Sequence, residues 1–313
     1  MKIVFLDAKT IGDDIDLSAY HKLGEVVCYD FSSPQQVPLR VVDADVIVVN
    51  KMQINANTIH TATQLKLVCV TATGTNNLDK TYLDSRQIAW RNVAGYSTES
   101  VAQHTFAMLF YLLEKLRYYD DYVKEERYVD DTVFTHFEER FHELHAMTWG
   151  IIGLGNIGRR VADIAHCFGA SIQYYSTSGS HVEEKYHPVS LEKLLSTSDI
   201  ISVHAPLTPQ TQGLLNANAF TQMKPCCIFL NLGRGPIVDE QALTDALLHH
   251  TISAAGLDVL SEEPMRQDNP LLALKDSRRL LITPHIAWAS IESRTRLMKI
   301  ILQQIQDFFS YSS

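Results

Sequence analysis

Three side chains in this sequence could together reduce a small acid at a carbonyl carbon. Arg234 stands in Gly233-Arg234-Gly235, Glu263 precedes Pro264, and His285 follows Pro284. Each comes after a different apolar run of strand type: 228–232, 254–260 and 280–283. Beside a nicotinamide, a cation, a carboxylate and an imidazole suit the reduction of a 2-oxo acid. The guanidinium would hold the substrate carboxylate in bidentate fashion and polarise the oxo group. His285 would give its proton to the oxygen as hydride reaches the carbon, and would act as general base in reverse. Glu263, bonded to the other ring nitrogen, would favour the imidazolium and orient the ring. Taken singly, an Arg between glycines or a His after Pro is more often structural. Their shared position past strand ends makes the joint case.

Such chemistry needs a dinucleotide, and residues 148–176, TWGIIGLGNIGRRVADIAHCFGASIQYYS, have the form that binds one. The apolar run from Trp149 to Ile152 stops at Gly153-Leu154-Gly155-Asn156-Ile157-Gly158. Beyond it Ile157, Val161, Ile164 and Phe168 recur at helix spacing, and 171–175 is apolar again. Strand, glycine turn, helix and strand are the context a dinucleotide fingerprint requires. Gly153 permits the turn, Gly155 the close approach of a pyrophosphate, and Gly158 the packing of helix on strand. The phosphates are expected at the helix start, against the N–H groups of Asn156 and Ile157. Where an acid usually binds the adenosine ribose, this chain has Ser176. The following Thr177-Ser178-Gly179-Ser180-His181 lacks the Arg an NADP site would present. Its hydroxyls suit a ribose or a 2'-phosphate, so NAD is favoured and NADP stays open.

The elements that position these residues alternate between strand and helix over the whole chain. Lys2–Leu6, Val26–Tyr29, Val46–Val49, Leu67–Val70 and Ile88–Trp90 read as strands of a first α/β unit. Two loops past its strand ends are polar, Asn50-Lys51 and 71–77, and ligands bind at that edge of a parallel sheet. Lys51 there is either an anion partner or a solvated surface lysine. Glu99–Tyr119 reads as one long amphipathic helix linking two domains, and Ser290–Phe309 as a helix returning to cover the first. Between Asp120 and His145 the chain is polar and aromatic. His142 and His145 have a metal-clasping spacing, but no further ligands accompany them, so no metal site is assigned and a surface or subunit-contact role is expected. The fold class expected is α/β, with two Rossmann-like domains of parallel sheet. Residues 1–98 with 287–313 would form a discontinuous, flavodoxin-like substrate domain, and 99–286 the dinucleotide-binding domain, with the active site in the cleft between them.

With 313 residues, 46% of them hydrophobic, the chain can fill two cores. A formal net charge of −9 argues against nucleic acid or an acidic membrane as partner. No apolar run is long enough for an export signal or a membrane span, which predicts a cytoplasmic protein. The five cysteines, Cys28, Cys69, Cys167, Cys226 and Cys227, are expected as reduced, buried thiols.

The motifs GIIGLGNIGRRVA, LLSTSDIISVHAPLTPQT, FLNLGRGPIVDEQAL, GLDVLSEEP and ITPHIAWAS occur in order. Over nearly its whole length the sequence resembles the D-isomer-specific 2-hydroxyacid dehydrogenase family. The resemblance implies catalytic roles for Arg234, Glu263 and His285, and a contact of Asp258 with the nicotinamide amide. It implies further cofactor contacts at or near Thr73, Thr105, His204, Pro206, Leu232 and Gly233, and a homodimer joined through the nucleotide-binding domains. Asn50-Lys51, ATGTNNLD and NVAGYSTESVAQHTFA look most like glycerate dehydrogenases, also called hydroxypyruvate reductases. In such enzymes backbone N–H groups matching Thr73-Gly74 bind the substrate carboxylate, which with Lys51, Arg234 and His285 completes the expected substrate contacts. Tyr96 and Trp288 are further candidates for the pocket wall. Phosphoglycerate and D-lactate-type dehydrogenases are the alternatives within the family. Formate dehydrogenases place Gln where Glu263 stands, and an NAD(H)-sensing corepressor is the alternative of another class. Met147-Thr148 replaces the family's usual Lys-Thr.

Overall fold

A computed structural model describes residues 1–179 and 185–310. The chain divides into two compact units, Met1–Ser97 with Ala289–Ser313, and Thr98–Trp288.

The first unit holds a five-stranded, wholly parallel sheet. Its strands are β1 (Lys2–Phe5), β2 (Glu25–Cys28), β3 (Val46–Val49), β4 (Leu67–Val70) and β5 (Ala89–Arg91), in the order β2-β1-β3-β4-β5. Parallel strands are buried on both faces, so they read as continuous apolar runs whose alternate residues serve opposite sides. Val4, Ile47, Val49, Val68 and Val70 thus meet Val37, Val41, Ile59 and Leu83 on one side. Ile3, Phe5, Val46, Val48, Leu67 and Cys69 are equally buried. The Phe5 ring meets Tyr20 at 5.4 Å, and the Tyr20 hydroxyl donates to the Met298 carbonyl at 2.6 Å. That carbonyl belongs to the last helix, Ile291–Ser310, which buries Leu297, Met298, Ile301 and Ile305. The end of the chain therefore completes the unit that its beginning starts.

The second unit has a seven-stranded parallel sheet, β6 (Thr148–Ile152), β7 (Ser171–Tyr175), β8 (His187–Pro188), β9 (Ile200–Val203), β10 (Ile228–Asn231), β11 (Ala254–Leu257) and β12 (Leu280–Ile282). The order β12-β11-β10-β9-β6-β7-β8 reverses direction at β6. Open sheets of this winding bind ligands beyond the carboxyl ends of their strands, at that reversal. Trp149, Ile151, Ile200 and Leu230 face one core with the helices Thr98–Leu113 and Asn156–Cys167. Ile152, Ile201, Phe229 and Leu257 face the other, with Leu194, Phe220 and Leu243. Burying one such side chain stabilises the fold by roughly 1.5–3 kcal/mol.

Two sequence expectations are overturned, and one strand was not anticipated. The helix expected over Glu99–Tyr119 is two, Thr98–Leu113 and Leu116–Lys124, separated where Lys115 takes a left-handed φ of +55°. The first buries its aliphatic stripe on the sheet. The second turns Tyr118 and Tyr122 towards His136, whose ring stacks 3.8 Å from that of Tyr122, so one straight axis cannot serve both surfaces. The two-residue edge strand β8 carried no readable period. Of the five thiols only Cys69 and Cys227 are buried, while Cys28, Cys167 and Cys226 are exposed and all five are free. Cys28 ends an edge strand, Cys167 ends a helix, and Cys226 lies in the turn before β10, places where an apolar run does not guarantee cover.

Candidate functional site

The glycine turn follows β6 at the sheet's reversal. Gly153 has a φ of +92°, and a Cβ there would lie 2.7 Å from the Ala205 backbone, so both conformation and space demand glycine. A Cβ on Gly158 would lie 2.3 Å from the Gly153 carbonyl oxygen, which lets the helix start sit directly on the turn. Gly155 differs, because a Cβ there would meet nothing within 4 Å. The fold leaves this space open between two positions that it closes. Gly155 also caps the helix Asn156–Cys167 without any side-chain bond. Arg159 N–H bonds back to the Gly155 carbonyl at 2.9 Å, so the N–H groups of Asn156, Ile157 and Gly158 precede the first intrahelical bond. Orphan donors, the positive helix end and free space beside Gly155 fit a pyrophosphate. Ser176 is half-buried one residue past β7, the strand beside β6. Of the hydroxyl-rich stretch that follows, Ser180 and His181 lie outside the described residues.

Along the same carboxyl edge, the loops after β10, β11 and β12 carry Arg234, Glu263 and His285. Glu263 Oε2 lies 2.7 Å from His285 Nδ1, and Glu263 Oε1 accepts the Leu260 N–H at 3.0 Å. An ionised carboxylate only accepts, so the Nδ1 proton is directed at Glu263 and Nε2 is left as the ring's working nitrogen. His285 has a left-handed φ of +54°, and its carbonyl accepts the Trp288 indole N–H at 2.9 Å. Arg234 is extended and half-buried. Buried Asn231 braces its turn, accepting the Gly233 N–H at 3.1 Å and donating to the Arg234 carbonyl at 3.1 Å. A Cβ on Gly235 would fall 1.9 Å from the Leu260 carbonyl, and one on Gly233 would fall 2.9 Å from that of Ala205. The glycines flanking Arg234 thus let its loop pack on two neighbouring loops. Leu260 joins it to the Glu263–His285 pair.

The remaining expected contacts are placed unevenly. Asp258 directly follows β11 and is 2% exposed. Its Oδ1 accepts from Thr283 Oγ1 at 2.7 Å and Ile286 N–H at 2.9 Å, and its Oδ2 from Ala287 N–H at 3.0 Å. A carboxylate has about four acceptor positions, so one further donor, such as an amide, can be accommodated. His204 follows β9. Burial pushes its imidazole down to about 3, which keeps it neutral at physiological pH. Ser202 Oγ accepts the Trp149 indole N–H at 2.9 Å and lies 3.1 Å from His204 Nε2. His204 Nδ1 is buried with no partner among the described residues, an orphan that suits a bound group. Leu232 and Gly233 are buried in the loop after β10, while Pro206 is exposed and its carbonyl accepts from Thr211 Oγ1 at 2.8 Å. Thr105 is fully buried, and its hydroxyl donates to the Val101 carbonyl at 2.8 Å within its own helix.

In the first unit, Lys51 lies past β3 and Thr73-Gly74 past β4, on adjacent strands. Asp7 holds the first loop. Its carboxylate accepts from Asn50 N–H at 2.9 Å, Lys51 N–H at 2.8 Å and Met52 N–H at 3.2 Å. Asn92 Nδ2 donates to the Thr73 carbonyl at 2.6 Å, and Thr73 Oγ1 donates to the Val93 carbonyl at 3.0 Å. Tyr96 is buried in this unit. The bracing residues Asp7, Asn231 and Ser202 carry no motif along the chain. The one available signal was a polar residue in or just past an otherwise apolar run: Ser202 inside β9, Asn231 at the end of β10 and Asp7 two residues past β1.

Residues 106–287 match the model of the D-isomer specific 2-hydroxyacid dehydrogenase NAD binding domain. The chain is 36% identical to the hydroxypyruvate reductase of Blautia hydrogenotrophica over 318 aligned positions, covering 100% of this chain and 98% of the relative. Its fold is similar to that of the Aquifex aeolicus D-lactate dehydrogenase complexed with NAD and lactic acid, with TM-score 0.85, 27% identity and coverage of 98% and 95%. It is also similar to the NADPH-dependent glyoxylate/hydroxypyruvate reductase of Sinorhizobium meliloti in complex with NADP and malonate, with TM-score 0.82, 25% identity and coverage of 99% and 93%.

Proposed function

Because the chain belongs to the D-isomer specific 2-hydroxyacid dehydrogenase family, we propose that it reduces hydroxypyruvate or glyoxylate to D-glycerate or glycolate with NADH. It is an NAD(P)-dependent oxidoreductase of 2-hydroxy acids. The observation that carries the proposal is the 2.7 Å pair of His285 and Glu263, on the sheet edge that also bears the glycine turn.

The nicotinamide, when bound, supplies the hydride. His285 Nε2 gives a proton to the carbonyl oxygen, and Glu263 holds the ring at Nδ1 with the tautomer that this transfer needs. Arg234 binds the substrate carboxylate as a fork, from a turn whose backbone is fixed by Asn231. Lys51, Thr73 and Gly74 are assigned to the substrate, and the second unit to the dinucleotide. Its contacts are Gly153, Gly155, Asn156, Ile157, Gly158 and Ser176 at the fingerprint, with Thr105, His204, Pro206, Leu232, Gly233 and Asp258. A hydroxyl at Ser176 with no Arg in 177–179 favours NADH over NADPH.

We further place the protein in the cytoplasm as a homodimer. No helix among the described residues is long and apolar enough to cross a membrane. Phe134 and Phe137, 90% and 77% exposed beside Val129, Val133 and Phe141, offer an apolar segment that a second copy would cover. Steady-state assays with NADH and NADPH on a panel of hydroxypyruvate, glyoxylate, pyruvate and phosphohydroxypyruvate test the activity. Turnover of none of them would refute it.

A further inference from the structure

The loop that bears His285 is tied down from a helix that carries none of Arg234, Glu263 and His285. Asp258 gathers Thr283 Oγ1–H, Ile286 N–H and Ala287 N–H, the groups on either side of His285. The His285 N–H itself turns back to the Thr283 carbonyl at 2.9 Å. A left-handed backbone at a non-glycine residue costs about 1–2 kcal/mol, so this conformation persists only where such bonds hold it. Behind Thr283 stands His104, on the helix Thr98–Leu113, with Nε2 3.0 Å from Thr283 Oγ1 and 3.7 Å from Asp258 Oδ1.

The proton inventory gives this chain a direction. The Thr283 hydroxyl has one hydrogen, and at 2.7 Å it goes to the carboxylate, which cannot donate. The hydroxyl oxygen is then an acceptor towards His104, so His104 Nε2 carries a proton. A donor on the hydroxyl oxygen polarises the O–H and strengthens its bond to Asp258. We propose that His104 is a positioning residue, which acts through Thr283 and Asp258 to hold the backbone of His285 so that Nε2 meets the substrate oxygen. The proposal rests on the reductase reading above, with His285 as its proton donor.

The test uses the full-length protein with three substitutions. His104→Phe removes the donor, His104→Gln keeps an N–H on the side chain, and Thr283→Val removes the relay. His104→Phe is expected to lower kcat about tenfold, with KM and NADH affinity held within about threefold, because placement of the proton donor is lost and binding is not. His104→Gln should recover most of that loss. Because both residues act through one chain, His104→Phe/Thr283→Val should be no slower than Thr283→Val alone. Hydrogen exchange over 283–288 provides a readout independent of turnover, and His104→Phe should speed exchange at Ile286 and Ala287 while β6 stays protected. Multiplicative losses in the double variant, no recovery with Gln, or unchanged exchange at Ile286 and Ala287 would each overturn the proposal. If the wild type turns over no 2-oxo acid, the reductase reading fails. The exchange experiment still judges the brace.

Discussion

Glu263 and His285 share one hydrogen bond of 2.7 Å between Oε2 and Nδ1, and the second oxygen of Glu263 is held by the Leu260 N–H at 3.0 Å. The carboxylate is thus oriented at both ends, and the imidazole inherits its tautomer. Replacing Glu263 with Gln keeps the shape and removes the charge. We expect kcat for reduction to fall about a hundredfold while NADH affinity stays within about threefold, since the carboxylate favours the protonated ring that must be present before His285 gives its proton. Steady-state rates together with NADH fluorescence titration check this, and equal losses in both would contradict the assigned role.

The glycines of the turn predict a split between stability and binding. Gly153→Ala forces a side chain onto a left-handed φ and against the Ala205 backbone, and should destabilise the protein by about 2–4 kcal/mol. Gly155→Ala meets no protein atom, so its melting temperature should match the wild type while dinucleotide affinity drops. Thermal denaturation with and without NADH separates the two. A Gly155 variant that binds NADH normally would show that the pyrophosphate does not lie there.

Ser176 sits one residue past β7, the strand beside the one that feeds the glycine turn. Ser176→Asp should raise KM for NADPH through repulsion of its 2'-phosphate and leave NADH nearly unaffected. Paired kinetics with both cofactors measure this, and an unchanged NADPH KM would remove Ser176 from the ribose.

Asp199 gives a pH-dependent contribution to stability. Burial favours its neutral form, but the Thr148 N–H and the Lys224 ammonium, each at 2.9 Å, outweigh this and hold the carboxyl below its usual range. A group whose pKa is depressed by folding stabilises the protein above its unfolded pKa of about 3.9 and loses that contribution as pH falls through the folded value. Asp199→Asn should therefore cost about 1 kcal/mol at neutral pH, and less below pH ~4. Urea melts at several pH values follow the difference. A gap that widens in acid would reverse the assigned sign.

What the sequence by itself determined is what depends on neighbours along the chain. Trp149–Gly158 announces strand, turn and helix because the apolar period changes across six residues of glycine motif, and Arg234, Glu263 and His285 each follow a strand that hydrophobicity alone delimits. Only the tertiary structure decided which atoms meet. The order β12-β11-β10-β9-β6-β7-β8 sets which strand ends are neighbours, and no local period encodes that order. Hence His104, one of several polar residues in its amphipathic helix, could not be linked to Thr283, nor Asp7 to the loop of Lys51. Lys115 breaks a helix that periodicity would continue, because two surfaces compete for its two halves. Burial of the cysteines was misjudged for the same reason: cover is supplied by whatever packs against a residue from afar, and Cys28 at its sheet edge has none to match its apolar neighbours.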